Sequence, residues 1–233
     1  MQLWLGTSGF QYPEWKGAFY PATLPAAKML RYYAERFSST ESNYSFRTIP
    51  SAKTIARWAA ETPERFKFSF KAPQRVTHFA KLRECGATLG VFRDAIVPLG
   101  TKLGAVLFQL PPTFKKDAAL LDSFLDGLPA EMRAAFEFRH DSWFDDGVFG
   151  CLRKHRAALC IAESEDLKTP PVATADFGYL RLRREDYSSR DLARWADFVR
   201  SQAGWREAFV YFKHEETGVG PKFAQQFQKL SDA

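Results

Sequence analysis

Glu137 and Arg139 stand two positions apart in the run Ala134–Trp143, AAFEFRHDSW, interleaved with Phe136 and Phe138. In an extended chain alternate side chains share a face, so the carboxylate and guanidinium point one way and the two phenyl rings the other. The same two-sided pattern recurs elsewhere. FKFSFK sets Lys67, Ser69 and Lys71 opposite Phe66, Phe68 and Phe70, and YLRLR sets Tyr179, Arg181 and Arg183 opposite Leu180 and Leu182. Glu41 and Asn43 share one side of a short polar strand, and Gln109 falls on the matching side of another. Carboxylates and cations brought together from separate segments suit proton transfer by Glu137 and Glu41. Arg139, Arg181, Arg183 and Lys71 would then hold an anion and stabilise developing charge. A salt-bridge network without turnover uses the same residues, so the pattern leaves both readings open.

Lys71 would form a Schiff base only with a depressed pKa, and among so many charges a lysine paired to a carboxylate is the simpler reading. After the last strand-like run, KHEETGVGPKF places Lys213 and His214 at a strand end and Gly218 and Gly220 just before a helix. Backbone N–H groups at such a place bind phosphate in many barrels, while the plain alternative is a turn. Aromatic residues crowd the first loop, among them Phe10, Tyr12, Trp15, Phe19 and Tyr20. Most read as packing, and Tyr12, Tyr44 and Trp143 are left as candidate ligand contacts. His140 follows Arg139 and is a candidate acid or base, with capping or packing as the simpler role. The four histidines, His78, His140, His155 and His214, lack metal-ligand spacing, and no metal is expected. No cofactor is indicated, and no Gly-x-Ser-x-Gly elbow is present.

Positioning these groups requires many strands of one sense. Strand patterns alternate with helical ones throughout: Leu3–Ser8, Thr40–Asn43, Phe66–Lys71, Gly104–Leu110, Ala134–Arg139, Ala158–Ala162, Gly178–Arg183 and Ala208–Phe212 read as eight strands. Helices are expected around Leu30–Phe37, Ile55–Ala59, Ala87–Val97, Leu121–Leu128, from Asp141 through His155, from a capping box at Ser188 and Asp191, and from about Pro221. ESEDLKTPPVATADF has two prolines and no helical period, so the sixth helix is expected to be missing or replaced by a loop. Eight such units with no composition break predict a single α/β domain over residues 1–233, a TIM-like barrel of parallel strands. An open doubly wound sheet is the rival. In a barrel the charged sides face the axis, near the C-terminal strand ends where barrel active sites lie.

The chain of 233 residues is 45% hydrophobic with 22 phenylalanines, ordinary for a folded core but rich in aromatics. No apolar run nears the ~20 residues needed to span a bilayer, and MQLWLGTSGF reads as a strand rather than a signal peptide. Three cysteines, Cys85, Cys151 and Cys160, lack Cys-x-x-Cys spacing. They are expected to be reduced in a cytoplasmic protein, with Cys151 and Cys160 as buried packing groups. The net charge of +6 permits anionic ligands or nucleic acid, but the basic residues are scattered.

GTSGFQYPEWKGAFYP, TESNYSF, WAAETPERFKFSFKAPQRVTH, KLGAVLFQLPPTF and FEFRHDSW occur in this order. Together they resemble the YecE-like proteins, the family called domain of unknown function 72, over essentially the whole chain. The resemblance implies a TIM-like barrel with Glu41, Asn43, Lys71, Gln109, Glu137 and Arg139 clustered at the C-terminal strand ends. It implies no particular activity. Where many members resemble Tyr-x-Arg-x-His-Gly, this chain has Tyr179, Arg181, Arg183 and Arg184, and Lys213 and His214 stand where asparagines are common. Glu163 stands where aspartate is frequent. The added positive charge fits a more anionic ligand or a variant salt-bridge set. The leading expectation is an enzyme or binder of a small phosphorylated or carboxylated compound. A nucleic-acid-binding or phosphodiester-acting barrel and a non-catalytic scaffold are the alternatives.

Overall fold

Each polar–apolar strand of this chain can bury both faces only if one side meets helices and the other meets itself, and a closed barrel supplies both. A computed structural model describes residues 1–164, 168–213 and 218–231. Its strands are β1 (Gln2–Thr7), β2 (Ser39–Ser42), β3 (Lys67–Lys71), β4 (Leu103–Gln109), β5 (Ala134–Glu137), β6 (Ala158–Glu163), β7 (Phe177–Leu182) and β8 (Glu207–Phe212). All pair in parallel, each with its sequence neighbour from β2 through β8, and β8 pairs back onto β1. The doubly wound alternative is therefore excluded.

The seam between β1 and β2 is closed by a few hydrogen bonds rather than a full ladder. Ser8 bridges Glu41, and the Gly9 N–H donates to the Glu41 carbonyl at 2.7 Å. Lower down, the Tyr33 hydroxyl accepts from the Thr7 N–H at 2.7 Å and donates to the Ser39 carbonyl at 3.0 Å. One buried phenol thus satisfies two backbone groups that would otherwise lack partners. The strands come so close that a Cβ on Gly6 would stand 1.8 Å from the Ser39 carbonyl oxygen, so only glycine fits.

The helices outside are α1 (Met29–Ala34), α2 (Ala52–Glu61), α3 (Gly86–Ile96), α4 (Ala118–Asp126), α5 (Asp146–Lys154), α6 (Ser189–Ser201) and α7 (Val219–Ser231). Their apolar stripes bury against Phe68, Phe70, Phe136, Phe138, Leu180, Leu182, Val210 and Phe212. Ser188 and Asp191 form the expected capping box at the start of α6. Between β6 and β7 no helix occurs among the described residues. Thr174 instead ties this connection to the start of β6, accepting from the Leu159 N–H and donating to the Ala157 carbonyl, each at 2.7 Å.

Three sequence expectations are revised. The helix expected from Asp141 is a single 3-10 turn, Asp141–Trp143, and α5 begins only at Asp146, capped by Asp145. Two aspartates four residues apart both suit a helix start, and Phe144 leaves helical geometry between them. The first helix is split, with Pro25 before a 3-10 turn at Ala26–Lys28 and α1 ending before Phe37. Cys160 is buried inside the barrel as expected, but Cys151 is only half-buried and its thiol faces Asp122.

The barrel interior is layered. At the N-terminal end the Trp4 indole and Arg133 both donate to Glu207, and Arg133 lies 4.3 Å over the Phe177 ring. In the middle, Tyr179, Phe209 and Tyr211 on β7 and β8 fill space left by Ala105, Ala135, Ala158, Cys160 and Ala162. The Tyr211 hydroxyl shares hydrogen bonds with Ser39 and Ser69 at 2.6 and 2.8 Å. Above this packed plug lies the charged layer. No described helix is long and apolar enough to cross a membrane.

Candidate functional site

Parity along β2, β5 and β7 sends Glu41, Glu137 and Arg181 inward, and all three are buried to within 1% of complete. Arg181 binds both carboxylates. Its Nε and Nη2 donate to Glu41 Oε1 at 3.2 and 2.9 Å, and its Nη1 donates to Glu137 Oε2 at 2.5 Å. Each carboxylate accepts further hydrogen bonds. Glu41 accepts from Ser8 Oγ and from the Tyr179 hydroxyl at 2.6 Å. Glu137 accepts from Gln109 Nε2 at 2.8 Å and from the Arg139 guanidinium. Burial alone would raise the Glu137 pKa, but Arg181 and Arg139 outweigh it and pull the carboxyl down to about 2. Burial likewise opposes the charge of Arg181, and Glu137 and Glu41 overcome it, raising its pKa well above the ordinary value.

Around this triad stand cations that the two carboxylates do not neutralise. Arg183 reaches Glu137 only at 4.0 Å, and its Nε and Nη1 are buried with no hydrogen-bond acceptor among the described residues. Burial lowers its pKa, and Arg181 and Arg139 lower it further. Lys71, on the last position of β3, has no carboxylate oxygen within 4.0 Å among the described residues, and its Nζ lies 3.9 Å over the Phe46 ring. Burial and, next, Arg181 bring its pKa down to about 8 against the opposing pull of Glu137 and Glu41. The simpler sequence reading, a lysine paired to a carboxylate, is corrected here because Arg181 takes up both glutamates. Lys213 continues from β8, its N–H donating to the Leu182 carbonyl at 3.1 Å.

The other expected ligand contacts separate from this layer. Tyr12, Asn43 and Tyr44 line a neighbouring cavity of about 370 Å³ between the first loop, the end of β2 and α2, with Thr54, Arg57 and Trp58. The Tyr12 hydroxyl donates to the Ser8 carbonyl at 2.9 Å, while Tyr44 is exposed. Trp143 is not a ligand contact. It is fully buried, stacks on Phe138 at 4.7 Å, and donates its indole N–H to the Phe114 carbonyl at 2.7 Å. His140 serves as a cap, its Nδ1 accepting from the Ser142 N–H at 3.1 Å.

Gly218 has φ +67, and a Cβ there would meet Ala18 at 3.0 Å, so this glycine answers to a turn packed under the first loop. Gly220 is buried within the first turn of α7. His214 lies outside the described residues. Glu163 faces outward and accepts from the Trp195 indole at 2.8 Å. Arg184 turns toward Asp186 and Asp191, away from the mouth.

Sequence reasoning missed Phe46, which sits in a 3-10 turn beyond β2 and carries no strand periodicity, and Ser8, which shares the inward side of the first strand run with Trp4 but was given no role. Tyr179 was legible as an inward residue, but its role as a tether for Glu41 was not. Asp122, Cys151 and His155 also approach one another at the opposite, outer side of α4 and α5, where Lys154 and His155 already hydrogen-bond Asp122.

The sequence profile described as "Protein of unknown function DUF72" matches residues 4–233. Among curated relatives, UPF0759 protein YecE of Escherichia coli K12 is 30% identical over 146 residues, 62% of this chain and 51% of that protein. UPF0759 protein YunF of Bacillus subtilis is 31% identical over 150 residues, 61% of this chain and 52% of the relative. The chain's matches thus span about half the length of these relatives. A crystal structure of a DUF72 family protein from Thermotoga maritima superposes with a TM-score of 0.90 at 27% identity, covering 100% of both chains. A DUF72 family protein from Enterococcus faecalis, 19% identical, shares the fold with a TM-score of 0.81 over 100% of this chain and 96% of its own. With its eight-stranded barrel and the whole of its sequence from Trp4 onward matched, the chain belongs to the DUF72 family.

Proposed function

We propose that the mouth of the barrel binds a small anionic compound, phosphorylated or carboxylated, at the carboxyl ends of the strands. The observation that carries this reading is the Arg183 guanidinium, whose Nε and Nη1 are buried without an acceptor among the described residues. Buried donors left unmatched are costly, and a charged guanidinium N–H forms a strong hydrogen bond to a phosphate or carboxylate oxygen. Lys71 at the end of β3 and Arg139 just past β5 add positive charge at the same end of the barrel, and Arg139 and Arg183 each keep about a fifth of their side chains open to solvent. Glu41, Glu137 and Arg181 serve in this reading as a rigid foundation. With Glu137 ionised and hydrogen-bonded by Arg181, Arg139 and Gln109, it orients guanidinium groups rather than carrying protons near neutral pH.

Nucleic acid as the ligand has less support. Phe10, Trp15 and Tyr20 of the first loop are buried in the core rather than presented for base stacking.

Calorimetric titration with inorganic phosphate at low ionic strength tests the proposal. The expected result is saturable binding to the unmodified chain, weakened at least roughly tenfold in Arg183→Gln, a loss of about 1.4 kcal/mol or more, with circular dichroism unchanged. Equal affinity in the two proteins, or no binding, would overturn it.

A further inference from the structure

The ammonium of Lys71 is unusual among groups at the mouth because it is half-buried yet paired to no carboxylate among the described residues. Arg181 binds both glutamates, and Ser8, Tyr179, Gln109 and Arg139 donate to the same two carboxylates. What faces Lys71 instead is the Phe46 ring at 3.9 Å, whose other neighbour is the His78 imidazole at 5.0 Å. The charged groups acting on it are Arg181 from β7, Glu137 from β5, Glu41 from β2 and Lys213 beyond β8. Resting on the anion-binding reading, we propose that Lys71 is the nucleophile of this site, condensing with the carbonyl carbon of a small anionic aldehyde or ketone whose phosphate or carboxylate is held by Arg183 and Arg139.

The step balances within the groups named. The unprotonated Nζ donates its lone pair to the carbonyl carbon, and the C=O π pair moves to oxygen, which takes a proton to give a carbinolamine. Loss of that oxygen as water, with one further proton and with Nζ shedding one of its own, leaves a protonated C=N bond. Counted from the ammonium, ammonium plus carbonyl gives iminium plus water, with no oxidant or reductant. The ammonium and the iminium carry the same single positive charge, so the Phe46 face that holds the first also holds the second. A pKa near 8 leaves roughly a tenth of the Lys71 side chains as free amine at pH 7. The surrounding arginines cannot compete as nucleophiles, since a guanidinium keeps its proton.

The test uses the full chain and two anionic carbonyl probes, pyridoxal 5′-phosphate and glyoxylate, each trapped with sodium borohydride at pH 7 and mapped by peptide mass spectrometry. The expected outcome is near-stoichiometric secondary-amine formation at Lys71, at least ten times faster than at any other lysine and suppressed by excess inorganic phosphate. Lys71→Arg, which keeps the charge but cannot form the imine, should lose that fast phase while remaining folded. Preferential labelling with one probe alone tells whether the phosphate or the carboxylate is the better-held anion, and supports the assignment either way. Phosphate binding together with trapping at Lys71 no faster than at exposed lysines, or trapping chiefly at Lys213, would overturn the role of Lys71 and leave the anion site standing. Absence of phosphate binding would overturn the anion reading and this inference with it.

Discussion

At the scale of single residues, two titrating groups pull stability in opposite directions. Glu137 has its folded pKa depressed from 4.5 to about 2, so it stabilises the fold above 4.5 and that contribution disappears as pH falls toward 2. Its magnitude is on the order of 3 kcal/mol. Urea unfolding between pH 5 and pH 2 should therefore show a steep loss of stability in the unmodified protein and a shallower one in Glu137→Gln, which is already destabilised near neutrality because Arg181 loses a partner. Lys71 behaves in the reverse sense. Its folded pKa lies near 8 against 10.5 unfolded, so holding it charged costs stability below 8, and stability rises as pH climbs from 8 to 10.5. Lys71→Met should accordingly be more stable than the unmodified protein at pH 7, by on the order of 1–3 kcal/mol, with the difference shrinking by pH 10.5. A Met variant that unfolds at lower urea at pH 7 would show that the charge is compensated.

At the scale of elements, the alternation along β2, β3, β5 and β7 was readable because a period of two is local and needs no partner. It placed Glu41, Lys71, Glu137 and Arg181 on one side, and the barrel brings them together. What could not be read was who pairs with whom. That Arg181 binds two glutamates, and that Lys71 pairs with no carboxylate among the described residues, depends on strands meeting at a register no single segment encodes. Trp143 misled for a similar reason, since the carbonyl that accepts its indole N–H belongs to Phe114, far away in sequence. The 3-10 turn at Asp141 was hidden because Asp141 and Asp145 both suit the start of a helix. The β1–β2 seam gives an element-scale prediction. Gly6→Ala forces a methyl group into the Ser39 carbonyl, so the strands must part and the Tyr33 hydrogen bonds with them. The expected cost exceeds about 3 kcal/mol, read as a large drop in Tm, whereas Ser188→Ala at the exposed cap of α6 should cost only about 1 kcal/mol. Similar losses in both variants would mean that the seam does not need its close approach.

At the scale of the whole molecule, the barrel is a plug with two unlike ends. Below, Glu207 is matched by Arg133 and the Trp4 indole, and aromatic rings fill the axis. Above, Lys71, Arg139, Arg181 and Arg183 are opposed by the charges of Glu41 and Glu137 alone among the described residues. A surplus of positive charge over a closed aromatic floor concentrates the field at the mouth, where an anion would be drawn in and its affinity would fall with added salt. Anomalous diffraction from crystals soaked in selenate tests this most directly. A selenium peak is expected at the barrel mouth with a selenate oxygen at about 3 Å from Nε or Nη1 of Arg183, lost in Arg183→Gln. Selenate found only elsewhere on the surface, with the Arg183 nitrogens still lacking an acceptor, would contradict it.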